Sequence, residues 1–141
     1  MGEYRHSLDA KNRLIIPSRF REELGDAFVI TRYLVGCLTV YTTEQWEKIT
    51  GKLAAIPMTS KAGRQFSRIF LSKAVNCEPD SQGRILIPQQ LRESAELLRE
   101  TVLIGVGERI EFWNPEILRR YENSMEAELD DALRHLSEIG I

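Results

Sequence analysis

The sequence of 141 residues predicts an α+β fold in which two copies of a small β unit pack about a pseudo-twofold axis into one barrel-like core. The first observation is a repeat, because DAKNRLIIPSRFRE at 9–22 matches DSQGRILIPQQLRE at 80–93. The second is size, since a copy of about forty residues is too small to bury a stable core alone. The third is an uninterrupted apolar run in each copy, which indicates a strand covered on both faces.

Two further blocks extend the repeat in the same order along the chain. Residues 28–31 (FVIT) parallel 102–105 (VLIG), and residues 38–41 (LTVY) parallel 110–113 (IEFW). Three matched blocks in one order indicate a duplication, so we expect both copies to fold alike. The predicted division is a first unit over 3–47, a helical connector over 48–73, a second unit over 74–117 and a C-terminal helix over 118–141.

Each copy begins with a strand that runs into a turn of the form Asp-x-x-Asn/Gly-Arg. Asp9 and Asp80 begin the turns, where a carboxylate can accept hydrogen bonds from nearby backbone N–H groups. Asn12 and Gly83 occupy the fourth position, which suits residues that tolerate a positive φ. These four residues are therefore predicted to form the turns.

An apolar strand follows each turn, over 14–16 in the first copy and 85–87 in the second. Because the three residues of each run are all apolar, we expect both faces of each strand to be covered. Pro17 and Pro88 are expected to end these strands, since proline lacks the N–H that a sheet ladder needs.

A short helix and a β-hairpin complete each copy. In the first copy we expect Ser18 to cap the helix and Gly25 to close it. The hairpin turn is predicted near Tyr33–Gly36 in the first copy and near Gly105–Arg109 in the second.

The remaining segments predict helices. Thr43 is expected to cap a helix over 44–53, and a second helix is expected from about Thr59 to Phe70. Asn114 and Pro115 suit the N-cap and first position of a C-terminal helix. That helix is predicted to be amphipathic and to need a partner surface. Its apolar residues are Ile117, Tyr121, Met125, Leu129, Leu133 and Leu136.

Composition and motif content narrow the class of protein. A hydrophobic content of 43% and a charged content of 28% are ordinary for a soluble globular protein. No nucleophile–base arrangement, glycine-rich phosphate loop or metal-ligand cluster is recognisable, so we expect no enzyme, cofactor, metal or small-molecule substrate. Cys37 and Cys77 belong to no CxxC pair and are expected to be buried thiols in a reducing compartment.

The sequence contains no feature that targets a membrane. No apolar run is long enough to span a bilayer. The N-terminal residues MGEYR are not followed by the apolar stretch of a secretory signal. We therefore expect a cytoplasmic protein without a membrane partner.

Acidic residues are concentrated near the C-terminus. Residues 115–141 contain three Lys/Arg and seven Asp/Glu, whereas residues 1–114 contain 16 and 14. The net charge of −2 argues by itself against nucleic acid, but the first 114 residues are weakly basic. A local basic patch is therefore permitted, although composition alone does not place one.

Both turn segments resemble the AbrB-type swapped-hairpin family. The resemblance rests on DAKNRLIIPSRFR at 9–21, on DSQGRILIP at 80–88 and on LR at 91–92. The tandem arrangement, the chain length and IEFW at 110–113 are similar to the MraZ family of bacterial regulators, associated with the division and cell-wall gene cluster. Asn12 departs from the glycine usual in the first turn, but asparagine can hold the same backbone shape.

The resemblance implies two swapped-hairpin units of the SpoVT-AbrB type and a nucleoid-associated regulator of transcription. It implies a ring-like homo-oligomer that binds double-stranded DNA. The expected targets are short repeated boxes in a promoter, including the promoter of its own operon. Neither the oligomer nor the boxes follow from composition or spacing.

The residue types at the turns suit DNA binding. Arg13 and Arg84 stand just past the turns, where a guanidinium can reach a groove and bond guanine through two N–H groups. Lys11 can contact phosphate in the first copy, whereas Gln82 at the matching position could read adenine or touch phosphate. Arg5 is a weaker phosphate candidate.

Other roles stay open for the basic residues. The arginine of each turn could instead form an ion pair with the aspartate of that turn and fix it. For Arg21 and Arg92, each beside a glutamate, surface pairing or packing is favoured over DNA binding. The basic residues of the second predicted helix, Lys61, Arg64 and Arg68, are expected on a solvated face, although they could also border the path of the DNA.

A second function stays open, a protein-interaction module of antitoxin or scaffold type built on the same hairpin unit. Antitoxins usually carry one copy and a partner-binding tail, so two copies in one chain favour DNA binding. The two functions differ in their response to salt, because phosphate contacts release counterions from DNA.

Overall fold

The computed structural model describes residues 1–33 and 36–140, within which eight strands and six helices occur. The strands are β1 (Gly2–Ser7), β2 (Arg13–Ile15), β3 (Phe28–Arg32), β4 (Leu38–Thr42), β5 (Val75–Cys77), β6 (Arg84–Leu86), β7 (Glu100–Val106) and β8 (Arg109–Trp113). The helices are α1 (Ser18–Leu24), α2 (Thr43–Ala54), α3 (Lys61–Ser72), α4 (Gln89–Ser94), α5 (Pro115–Glu126) and α6 (Leu129–Glu138).

The two copies exchange strands, which confirms the predicted α+β fold of two interlocked units. β1 of the first copy pairs with β7 of the second, and β5 of the second copy pairs with β3 of the first. A six-stranded antiparallel sheet results, with the order β1-β7-β8-β4-β3-β5. β2 and β6 form a separate two-stranded antiparallel ribbon, which we call the β2–β6 ribbon.

The strand register places the pseudo-twofold axis. Leu14 lies opposite Ile85 in the β2–β6 ribbon, and these are matching positions of the repeat. Thr39 of β4 lies opposite Glu111 of β8, another matching pair. The axis therefore passes through both contacts, one in the ribbon and one in the large sheet.

The strand register matches β3 with β7 one residue away from where the repeated sequence blocks, 28–31 and 102–105, matched them. Ile30 pairs with Val40 in the first copy, and Leu103 pairs with Phe112 in the second. Ile30 is therefore equivalent to Leu103, whereas the alignment matched it with Ile104. The second copy has two extra residues before β7 and one fewer in the turn after it. Matching short sequence blocks cannot show where such insertions and deletions lie.

One hydrophobic cluster joins the two copies. It contains Leu14, Ile16 and Phe20 of the first copy and Ile85, Ile87 and Leu91 of the second, each at most 2% exposed. The shared core predicted from the size of one copy is confirmed.

The prediction that the apolar strands are covered on both faces was wrong. Ile15 is 45% exposed and Leu86 is 60% exposed. The inner face of the β2–β6 ribbon carries the buried Leu14 and Ile85, while its outer face is solvated. Continuous apolarity therefore did not mean burial on both sides.

Two helix caps lie one residue earlier than predicted. Pro17 takes the N-cap position of α1 without a side-chain cap, and Ser18 is the first helical residue. Thr42 caps α2, because its Oγ1 accepts a hydrogen bond from the Gln45 N–H at 3.0 Å. Thr43 lies within that helix and donates to the Ala27 carbonyl.

Other terminal signals are confirmed. Gly25 closes α1 with a φ of 78°, and its N–H donates to the Arg21 carbonyl. Asn114 caps α5 by accepting from the N–H groups of Glu116 and Ile117. The second hairpin turn lies between β7 and β8, as predicted. The first predicted turn, Tyr33–Gly36, includes residues 34 and 35, which lie outside the described residues.

The C-terminal segment is two helices rather than the single helix predicted. α5 ends at Glu126 and α6 begins at Leu129. Beyond the first turn the residues of its apolar stripe are exposed, although the Tyr121 ring still packs against Trp113, with ring centroids 5.5 Å apart. The exposed members are Tyr121, Met125, Leu129, Leu133 and Leu136.

Both cysteines are buried and unpaired, as predicted. Burial raises the pKa of the Cys37 thiol to about 12 and that of the Cys77 thiol to about 11. Within residues 1–33 and 36–140, no helix is long and apolar enough to cross a membrane.

We predict that Leu14→Ala destabilises both copies together. Leu14 is fully buried against Ile85, and emptying such a site costs about 2–5 kcal/mol. Single-tryptophan variants should report the same shift in urea midpoint, since Trp46 lies in α2 and Trp113 in β8. Ile15→Ala, at the neighbouring exposed position, is the control with little expected effect. Separate midpoints for the two tryptophans would contradict a shared core.

Candidate nucleic-acid interface

The first turn is closed by the side chain and backbone of Asp9. Its Oδ1 accepts hydrogen bonds from the N–H groups of Lys11 and Arg13, each at 2.9 Å. Its N–H donates to the Arg13 carbonyl, and its own carbonyl accepts from the Asn12 N–H. Asn12 has a φ of 61°, in the left-handed region that asparagine tolerates.

The second turn repeats these contacts. Asp80 Oδ1 accepts from the N–H groups of Gln82 and Arg84, each at 2.9 Å. Gly83 has a φ of 77°, in the left-handed region that favours glycine. The two turns therefore hold their side chains in the same local frame.

Hydrogen bonding lowers the pKa of both turn aspartates below 3.8. The main cause is the backbone N–H of Arg13 for Asp9 and of Arg84 for Asp80. A lowered folded-state pKa stabilises the turns above pH 3.8, and this contribution is lost as the pH falls through the lowered value. Both carboxylates are therefore ionised throughout the neutral range.

Each turn arginine forms an ion pair with the aspartate of its own turn, which is the alternative role that the sequence had left open. Arg13 Nε donates to Asp9 Oδ2 at 2.8 Å, and Arg84 Nε donates to Asp80 Oδ2 at 2.8 Å. Neither arginine uses its Nη atoms in a hydrogen bond to the described residues. The side chains stay 30% and 23% exposed. Each carboxylate thus orients a guanidinium whose two Nη groups are free for another partner.

Both arginines belong to the outer face of the β2–β6 ribbon. Arg13 lies opposite Leu86, and Arg84 lies opposite Ile15. The arginines therefore occupy opposite ends of the ribbon, and strand geometry puts their Cα atoms roughly 8 Å apart. One face presents two guanidinium groups with a fixed spacing.

The other predicted DNA contacts are placed unequally. Lys11 and Gln82 are exposed within the two turns, next to the arginines. Arg5 is exposed on β1, in a surface cleft shared with Glu3 of the same strand and Glu100 of the paired strand β7. The structure brings Lys11 and Gln82 to the turns and leaves Arg5 in acidic surroundings.

A contact between the copies was missed at the sequence level. The guanidinium of Arg21 lies over Gly83, where an added Cβ would be 2.6 Å from Nη1 and 2.7 Å from Cζ. Arg21 Nη2 donates to Ser18 Oγ, and its Nε is buried without a hydrogen-bond partner among the described residues. The sequence feature that could have indicated this contact is that Gly83 stands at the position that Asn12 occupies in the first copy.

Arg92, the counterpart of Arg21, makes a different contact. Its Nε donates to the Ile87 carbonyl at 2.9 Å, within its own copy. Arg21 and Arg92 therefore both make packing contacts within the chain, which is the role that the sequence favoured over DNA binding. The basic residues of α3, Lys61, Arg64 and Arg68, lie on an exposed face, as predicted.

The comparisons with known proteins cover the whole chain. A family model described as "MraZ protein, putative antitoxin-like" matches twice, over residues 1–69 and 70–136. A protein named "Transcriptional regulator MraZ" from Thermoanaerobacter pseudethanolicus is 48% identical over 141 residues, covering 100% of this chain and 99% of the relative. Relatives of the same name from Halothermothrix orenii and Ligilactobacillus salivarius are 48% identical over 141 residues and 46% identical over 136. These cover 100% and 96% of this chain, and 99% and 95% of the relatives. The two family matches correspond to the two copies.

We predict that Gly83→Ala lowers the free energy of unfolding by about 1–2 kcal/mol. A residue with a Cβ is strained at a φ of 77°, and here the Cβ also displaces Arg21. Urea denaturation measures the change. Asn12→Gly is the matched control with little expected loss, because glycine adopts a φ of 61° without strain. Wild-type stability of Gly83→Ala would show that neither constraint acts at this turn.

Proposed function

The chain belongs to the MraZ family, and on that premise we propose that it is a sequence-specific DNA-binding regulator of transcription. The observation that carries the proposal is the outer face of the β2–β6 ribbon, where two equivalent turns present Arg13 and Arg84. The major groove of B-DNA admits a two-stranded β-ribbon. A ribbon with two partly exposed guanidinium groups suits that groove in shape and in charge.

The ion pairs within the turns support base recognition. Guanine offers two acceptors in the major groove, O6 and N7, which an arginine can bond through two N–H groups. Because Asp9 and Asp80 engage only Nε, the Nη groups of Arg13 and Arg84 remain available. A guanidinium held in place before binding also loses less conformational entropy on binding. The aspartates act as positioning residues in this proposal.

Phosphate contacts come from the neighbouring turn positions. Lys11 supplies a positive charge in the first turn, while Gln82 supplies a neutral hydrogen-bonding group in the second. The two turns of one chain therefore contribute unequally to affinity. Arg5 is the weakest phosphate candidate, because Glu3 and Glu100 share its cleft.

We further propose that the functional unit is a ring-like homo-oligomer on repeated promoter boxes, including those of its own division and cell-wall operon. One chain offers few cationic contacts, whereas linked subunits on repeated boxes gain affinity through effective concentration. Boxes about 10 bp apart would place successive subunits on one side of the duplex. The uncovered apolar stripe of α5 and α6 supplies an apolar surface for subunit contacts.

This role assigns a part to each segment of the chain. Units over 3–47 and 74–117 would carry the DNA contacts, with 48–73 as connector and 118–141 available for assembly. The protein would act at the nucleoid in the cytoplasm, without catalysis, cofactor, membrane or small-molecule substrate.

A second candidate is a protein-interaction module of antitoxin or scaffold type, which the words "putative antitoxin-like" in the family description favour. Titration of salt against a fragment from upstream of the chain's own gene separates the two. A DNA-binding protein loses affinity steeply as salt rises, because phosphate contacts release counterions. A scaffold would not bind the fragment at any salt concentration.

We predict that Arg13→Ala combined with Arg84→Ala abolishes binding to the promoter fragment. Each guanidinium removed costs about 1–3 kcal/mol of guanine recognition, and the thermal melting curve should show that the fold survives. Arg119→Ala is the control, because Arg119 is 68% exposed on α5 and pairs only with Glu116 among the described residues. A gel shift with wild-type affinity in the double variant would rule out these arginines as DNA contacts.

We also predict a mass above that of a dimer at micromolar concentration, measured by light scattering. Leu129→Glu with Leu133→Glu should lower that mass, because both side chains lie on the exposed apolar stripe. The control is Leu98→Glu, at a residue that is 84% exposed outside that stripe. A monomeric wild-type protein would contradict the oligomer while leaving DNA binding by single chains open to the gel shift.

A further inference from the structure

Two aliphatic side chains are exposed at matching positions of the repeat. Ile15 is 45% exposed and Leu86 is 60% exposed, although the residues on either side of each are buried. Their inward-facing neighbours Leu14 and Ile85 close the shared core without them. The two exposed side chains therefore contribute little to folding, and another role is open to them.

The strand register puts each aliphatic residue beside one of the turn arginines. Leu86 lies opposite Arg13, and Ile15 lies opposite Arg84. Opposite side chains on one face of an antiparallel pair have Cβ atoms about 5 Å apart. The outer face of the β2–β6 ribbon thus carries two arginine–aliphatic pairs related by the pseudo-twofold axis.

The occupant of this face must accept hydrogen bonds and offer apolar contact within a few ångströms. A purely apolar protein surface would leave Arg13 and Arg84 desolvated without acceptors, at a large cost in free energy. The floor of the DNA major groove offers both, because guanine presents two acceptors and thymine presents its 5-methyl group. Charge and polarity together favour DNA over a second protein surface.

We propose that Ile15 and Leu86 contact thymine 5-methyl groups in the groove that Arg13 and Arg84 enter. This inference rests on the proposed DNA-binding function and adds two specificity residues to it. Since bases along one strand are about 3.4 Å apart, a Cβ separation of about 5 Å places each thymine one or two steps from the guanine read by the opposite arginine. The expected box therefore combines guanine with a nearby thymine, twice.

The test compares two promoter fragments that differ only in the methyl group. One carries thymine and the other carries deoxyuridine in its place, and fluorescence anisotropy measures the dissociation constant of each. Wild-type protein should bind the deoxyuridine fragment about fourfold more weakly for each contacted methyl group that is absent, as expected for one buried apolar carbon. Ile15→Ser with Leu86→Ser should bind both fragments equally, at the affinity of wild type for the deoxyuridine fragment.

The matched control is Leu98→Ser, which changes an aliphatic side chain that is 84% exposed away from the ribbon. This variant should keep the wild-type preference for thymine. A thermal melt of each variant checks that the fold is intact, which is expected because all three side chains are solvated.

The outcomes separate this inference from the function on which it rests. Binding of neither fragment by the wild-type protein would overturn the proposed function itself. Equal binding of both fragments by the wild type, with no binding by the Arg13→Ala and Arg84→Ala variant, would overturn only the methyl contacts. A fall in oligomer mass in the Ile15→Ser and Leu86→Ser variant, with its thymine preference kept, would assign the face to contact between copies and overturn the inference.

Discussion

The pairing of β2 with β6 is the interaction on which the rest of the structure depends. It brings Leu14 and Ile85 together on the pseudo-twofold axis and closes the core that both copies share. It also fixes the two turns at opposite ends of one short ribbon, so the spacing between Arg13 and Arg84 is set by strand geometry rather than by flexible loops. Folding and the candidate site therefore have the same physical origin.

The ion pairs within the turns orient the arginine side chains more than they stabilise the fold. A solvent-accessible ion pair contributes little to the free energy of unfolding, and both aspartates are about one-third exposed. The same bond holds Nε of each arginine and leaves its Nη groups available to other partners. The aspartate closes the turn through backbone N–H groups and orients the arginine through its second oxygen.

Much of this arrangement could be predicted from the sequence, because the signals were local or repeated. The duplication was visible as a repeated pattern. Local neighbours determine the Asp-x-x-Asn/Gly-Arg turns, the end of α1 at Gly25 and the Asn114 cap. What could not be predicted depends on contacts between the copies. Ile15 and Leu86 are solvated because the ribbon has only one covered face, and Arg21 crosses to the turn of the other copy at Gly83. Neither relation is written in a short sequence pattern.

The most direct test of the ribbon as the DNA-binding face measures methyl signals of Ile15 and Leu86 by nuclear magnetic resonance while promoter DNA is added. Both side chains are exposed on that face, whereas Leu129 and Leu133 lie exposed on α6. We predict that the signals of Ile15 and Leu86 shift in proportion to the DNA bound, while those of Leu129 and Leu133 stay in place. Shifts confined to α6, with Ile15 and Leu86 unchanged at saturation, would contradict the ribbon as the DNA-binding face.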